Sequence, residues 1–183
     1  RVLFRSKSLA AIQENNLAMV QGLLDELDQN VAFLKQLFGA TRDAWIKQSP
    51  DEWIAMNPLF DGVAEKLQRL KGQNWYIVTT KQERFVEQIL KAYQIELSAD
   101  NIFGLDKKMS KEAVLSDLLA RHGTGTICFV EDRLATLLGV LANSVLEPVE
   151  VQLVEWGYNT RQEKAIAREK GIPLITLQAF LQN

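Results

Sequence analysis

The chain has 183 residues, 47% of them hydrophobic and 24% charged, a net charge of −2 and a single cysteine. That is enough apolar material for one α/β domain and a small addition. It excludes a strongly basic nucleic-acid surface, a disulfide framework and a run of membrane-spanning length. Cys128, inside the apolar run 126–130, reads as one buried thiol and fits a reducing, cytoplasmic setting.

Arg1-Val2-Leu3-Phe4-Arg5-Ser6 has no initiator Met, and its apolar stretch is too short for a signal peptide. The same six residues are encoded by CGT-GTG-CTC-TTC-CGA-TCT, the end of a widely used sequencing adapter, so they are read as an artefact without functional weight. From 9 to 57 the pattern is helical only. Leu17, Val20, Leu23, Leu24, Leu27, Val31, Leu34 and Phe38 recur at threes and fours, as in an amphipathic helix or two, with Gly39 as a natural stop. A second stretch runs through Trp45 and Ile46. Ser49-Pro50-Asp51-Glu52 has the form of a helix start: a capping hydroxyl, a proline at the first helical position and a glutamate reaching back. Trp45 and Trp53 can pack on each other or on a core.

After Pro58 the texture changes. Val63, Leu67 and Leu70 predict a short helix ending near Gly72, and Trp75-Tyr76-Ile77-Val78-Thr79 reads as a buried strand. A helix follows through Phe85, Val86, Ile89, Leu90 and Tyr93, then a brief strand at Asn101-Ile102-Phe103-Gly104. A helix over 111–121 ends at His122 beside Gly123, where an imidazole suits the helix dipole better than it suggests catalysis. A strand at 126–130, a helix on Leu134, Leu137, Leu138 and Leu141, a strand at 149–154, a helix at 160–170, a strand at 173–177 and a terminal helix complete the chain. Strands alternating with helices predict an α/β fold with a Rossmann-like, mostly parallel sheet covered on both faces. Ligands of such sheets gather at the carboxyl ends of the strands.

Three of those ends carry polar chemistry. Ile77-Val78-Thr79-Thr80-Lys81 puts hydroxyls at a strand tip leading into a helix, where Thr79 can donate to a phosphate oxygen; Thr80 can do the same, although Thr80-Lys81-Gln82-Glu83 also has the form of a capping box, the preferred reading for Thr80. Lys107-Lys108-Met109-Ser110-Lys111 brings lysines to a helix start, against the dipole, where an anion would justify them. Phe129-Val130-Glu131-Asp132-Arg133 sets two carboxylates after a buried strand. Mg²⁺ takes one or two such groups with waters and substrate oxygens; the alternative is that Asp132 caps the next helix.

Taken in order (strand-Thr, Lys at a helix start, strand-Glu-Asp), these features resemble the core of the haloacid dehalogenase-like (HAD-like) hydrolases, most closely phosphoglycolate-phosphatase-like members of the cyanobacterial type. Leu59-Phe60-Asp61-Gly62-Val63 with Leu67 and Leu70 is similar to the helix that re-enters the family's core from its cap, and Val154-Glu155-Trp156-Gly157-Tyr158 to its Trp-Gly-aromatic turn. The resemblance implies that Thr79 and Lys111, with Lys108 in reserve, hold the transferring phosphoryl group, and that Asp132, with Glu131, binds Mg²⁺. Thr136 and Leu137 stand where the family's fourth motif often has a further Asp.

The family's Asp-x-Asp nucleophile motif has no counterpart: Asp25 and Asp28 are three apart on a helical stretch, Asp43 and Asp51 are isolated, and none follows a strand. The resemblance therefore implies a HAD core with its first strand missing (58–183) behind a partial helical cap (1–57). Intact, it would be a Mg²⁺-dependent phosphatase of a small phosphorylated metabolite working through an aspartyl-phosphate; the chain as given is expected to be inactive. No nucleic-acid or membrane partner is expected, and oligomeric state is open. The rival reading is a non-catalytic HAD-like binding or regulatory protein with an apolar surface where the first strand should lie. A response-regulator or flavodoxin-like domain would need an acidic pocket or phosphate loop after an early strand, and neither is present.

Overall fold

Local chemistry decides where the first helices part. Asp28 sits in the left-handed region (φ 51°), and the Asn30 side chain accepts the Phe33 N–H at 2.9 Å, capping a new helix. The computed structural model describes residues 9–123 and 125–182, with side chains from residue 18 onward. The segment read as an artefact, 1–6, and the side chain of Leu17 lie outside the described residues. Two compact units result, Arg1–Asn57 and Pro58–Asn183.

The described part of the first unit is helical: α1 (Leu9–Glu26), α2 (Val31–Gln48) and α3 (Pro50–Ala55). Gly39 is not a stop. It is buried in the middle of α2. One interior glycine costs about 1 kcal/mol relative to alanine, which the remaining turns outweigh, so the break falls at Asp28 and Asn30 instead. Ser49 precedes α3 without capping it by side chain, and Glu52 accepts the Trp45 indole N–H at 3.1 Å rather than reaching back. Trp53 is buried.

The second unit is mixed α/β. It runs α4 (Val63–Arg69), β1 (Ile77–Val78), α5 (Glu83–Ala92), β2 (Ile102–Phe103), α6 (Lys111–His122), β3 (Ile127–Glu131), α7 (Leu134–Leu141), β4 (Val149–Val154), α8 (Arg161–Glu169), β5 (Leu174–Ile175) and α9 (Leu177–Gln182). Every ladder among these strands is parallel. β1 pairs with β2, Ile77 opposite Ile102; β3 pairs with β4, Ile127 opposite Val149; β4 pairs with β5, Leu153 opposite Leu174. The sheet expected to be continuous is thus in two pieces, β1-β2 and β3-β4-β5. β1 is shorter than the predicted five residues because only two of them find a partner strand, all on one side.

The apolar clusters follow that division only in part, since one of them, Phe103, Val114 and Leu118, packs against both Val78 of β1 and Ile127 of β3. Leu115, Phe129, Leu137, Val151, Leu153 and Ala167 lie in the one over β3 and β4, whereas Val86, Leu90, Ile95 and Ile102 form another over β2. Burying a large aliphatic side chain contributes roughly 1.5–3 kcal/mol, so these clusters hold the strand ends in place. No helix among the described residues is long and apolar enough to cross a membrane.

Cys128 is not buried. It is exposed on β3, opposite Glu150 of β4. The pleat turns Phe129 and Glu131 inward and leaves Cys128 facing a groove of about 700 Å³ between the free edges of β1 and β3. Partial burial first, and then the Glu150 carboxylate, push its thiol pKa up.

Candidate functional site

The carboxyl ends of β1 and β3 open on one cavity of about 450 Å³, whose wall includes Thr79, Thr80, Lys111, Glu131 and Asp132. All five site residues proposed from the sequence therefore meet, although they come from three separate segments. Lys108 does not join them: it sits in an exposed left-handed turn (φ 53°) outside the lining.

Thr79 is half-buried, and its Oγ1 accepts the Lys81 N–H at 3.1 Å, which tightens the turn after β1. The hydroxyl proton remains available to an acceptor in the cavity. Thr80 is exposed and caps nothing. The N-cap position of α5 is Gln82, and Glu83 turns away to accept N–H bonds from Gly104 (2.9 Å), Asp106 (3.0 Å) and Lys107 (3.1 Å). The expected capping box is replaced by a clamp on the loop after β2, because three converging amides outbid one. Burial acts to raise the Glu83 pKa, but the backbone donors outweigh it and hold the carboxyl below its ordinary range. Gly104 is part of the clamp: a Cβ there would collide with the Lys81 carbonyl and the Glu83 carboxylate.

Lys111 is the first residue of α6. Ser110 caps that helix, accepting the Ala113 N–H at 3.1 Å. The ammonium reaches Glu131 Oε2 at 2.5 Å, and Glu131 Oε1 accepts the Arg133 N–H at 3.1 Å. Glu131 is only 6% exposed, and Lys111 is its ion-pair partner. Both of its oxygens are occupied.

Asp132 does not cap α7; Arg133 occupies that position. Asp132 Oδ2 accepts the Tyr158 N–H at 3.0 Å, while Asn159 Nδ2 donates to the Asp132 carbonyl (3.0 Å) and the Val154 carbonyl (2.7 Å). Gly157 makes this possible, since a Cβ at 157 would overlap the Asp132 side chain. The turn after β4 is thus locked to the turn after β3, a coupling that sequence reasoning missed; the Gly between Trp156 and Tyr158 was its only trace.

Among the described residues, no three His, Cys, Asp or Glu side chains converge on a metal position. Mg²⁺ is commonly held by one or two carboxylates, with waters and phosphate oxygens completing the shell. Asp132 fits that role with its Oδ1, which has no hydrogen-bond partner among the described residues. Glu131 already holds Lys111 through Oε2 and the Arg133 N–H through Oε1.

Comparison with family models, with curated proteins and with solved structures finds no match to this chain.

Proposed function

We propose that 58–183 is a HAD-like, Rossmann-like α/β core, that 1–57 is part of a helical cap, and that the activity this fold serves is Mg²⁺-dependent hydrolysis of a small phosphorylated metabolite. The observation that carries this reading is the single cavity in which Thr79, Lys111, Glu131 and Asp132 meet at parallel strand ends. A hydroxyl, an ammonium and a metal-ready carboxylate are what a phosphoryl group's three oxygens require. Thr79 would donate to one oxygen. Lys111, held by Glu131, would offer its remaining N–H donors to another. Mg²⁺ on Asp132 would neutralise charge on the phosphoryl group.

The attacking group in this scheme is an aspartate oxygen that forms a bond to phosphorus as the ester P–O bond breaks, followed by hydrolysis of the aspartyl-phosphate. Asp25, Asp43 and Asp51 lie in helices and Asp28 in a turn of the other unit, and none ends a strand. We therefore take the chain itself to be inactive.

The test is a titration with inorganic phosphate in Mg²⁺ buffer beside a phosphatase assay on p-nitrophenyl phosphate. Phosphate binding that needs Mg²⁺ and is lost in Asp132→Asn and Lys111→Ala, without turnover, is the expected result. No binding overturns the phosphoryl reading; turnover abolished by Asp132→Ala overturns the inactivity.

One observation favours the second reading, a non-catalytic binding protein. The groove between β1 and β3 is lined by Ile77, Val78, Ile127, Cys128 and Val130, and each strand pairs on its other side only. Such an edge accepts an added strand.

A further inference from the structure

The cavity holds a second cation with a different circumstance from Lys111. Arg133, at the N-cap of α7, and Thr136, in the first turn of that helix, both line the cavity. The Arg133 backbone is fixed by its N–H bond to Glu131. Its side chain is exposed and makes no ion pair among the described residues. Lys111 is already balanced by Glu131. Glu112, the other carboxylate in the lining, leans on α7 beside Gly139 rather than pairing with Arg133.

A guanidinium offers planar paired donors that match a carboxylate or a phosphoryl group in two parallel hydrogen bonds. The volume, about 450 Å³, falls in the range of pockets that take whole small molecules rather than a lone phosphate.

We propose that Arg133 and Thr136 form a second anion subsite, so that the ligand of this cavity carries a phosphoryl group and, a few bonds away, another anionic group. This rests on the phosphoryl reading of Thr79, Lys111 and Asp132 given above. The phosphoryl end meets those residues, and the second anion meets the Arg133 fork with the Thr136 hydroxyl beside it. Discrimination then resides in the α/β unit itself.

The experiment compares affinities of the full chain, in Mg²⁺ buffer, for glycerol 3-phosphate, 3-phosphoglycerate and pyrophosphate by calorimetric titration. The first has one anionic group, the second adds a carboxylate and the third a second phosphoryl group. One or both doubly anionic probes bind roughly tenfold tighter than glycerol 3-phosphate, as expected for one charge-assisted bidentate contact. Which of the two gains shows whether the second group is a carboxylate or a phosphoryl. Arg133→Gln brings the ratio to about one, and Arg133→Lys, which keeps the charge without the fork, restores only part of it. Equal affinities for all three, unchanged by Arg133→Gln, overturn the subsite while leaving the phosphoryl reading standing. Failure of all three to bind overturns both.

Discussion

Each of the two units is held by its own internal contacts, and these differ in reach. In the helical unit the side-chain hydrogen bonds described, Gln21 to Asp25, Asn30 to Phe33, Trp45 to Glu52 and Trp53 to Asn57, bridge three to seven residues. In the α/β unit such local bonds are joined by ones that reach much further: Lys111 to Glu131 spans 20 residues, Glu83 to the loop after β2 up to 24, and Asp132 to Tyr158 26. Burial differs in the same sense. Phe33, Leu37 and Phe38 are 43–54% exposed, whereas Leu137 and Leu153 are fully enclosed. Local contacts give helices their form, but the site exists only where distant segments close on one another.

That contrast is breakable by mutation, and the largest effect belongs to the core. Leu153→Ala or Leu137→Ala should cost about 3–5 kcal/mol in urea unfolding, and Phe38→Ala under about 0.5 kcal/mol. Comparable losses at Phe38 and Leu153 would erase the difference between the units.

Next is the Glu83 clamp. Glu83→Ala removes the acceptor of three amides and should cost about 2–3 kcal/mol. Because the folded carboxyl is held below its ordinary range, this stability is present in full above that range and is lost as pH falls through the lowered value. Wild type and Glu83→Ala should therefore converge in stability only in acid, below about pH 4; a gap that persists unchanged there rules out the carboxylate as its source.

Gly157→Ala should act more on the site than on the fold. It pushes Asp132 from the Tyr158 N–H, and phosphate affinity in Mg²⁺ should fall about tenfold for a loss of roughly 1–2 kcal/mol in stability. Unaltered affinity would separate the two turns that we describe as locked.

The smallest effect is at Cys128. Its thiol is accessible, yet its pKa is raised, so alkylation near neutral pH should be a few-fold slower than for a free cysteine and speed up in Glu150→Gln. A fast reaction insensitive to Glu150 would contradict the cross-strand influence.

The same difference in reach explains what could be read beforehand. The α/β alternation was visible in apolar period and runs, and so were the starts of α6 at Ser110 and of α8 at Thr160, where cap and helix are neighbours in the chain. Thr79, Lys111 and Asp132 were singled out by their order along the chain rather than one by one, and they share one cavity wall. The errors lay where a local motif had a distant competitor. Glu83 looked like half of a capping box with Thr80 and instead serves Gly104, Asp106 and Lys107. Cys128 sits in an apolar run, but its exposure depends on β1 and β3 not pairing. The place of Arg133 and Thr136 in the cavity wall likewise becomes visible only when α7 is set beside α6 and β3.

The turn after β4 has an optical consequence. Trp156 adjoins Gly157, and its ring meets Phe60 edge-on at 6.5 Å and Phe180 at 5.5 Å between centroids. A displacement of Asp132 would press on Gly157, the neighbour of an indole set among these rings. With Trp45, Trp53 and Trp75 replaced by Phe, the emission of Trp156 should shift when phosphate fills the cavity in Mg²⁺ buffer, a gauge legible without turnover, label or knowledge of the natural ligand.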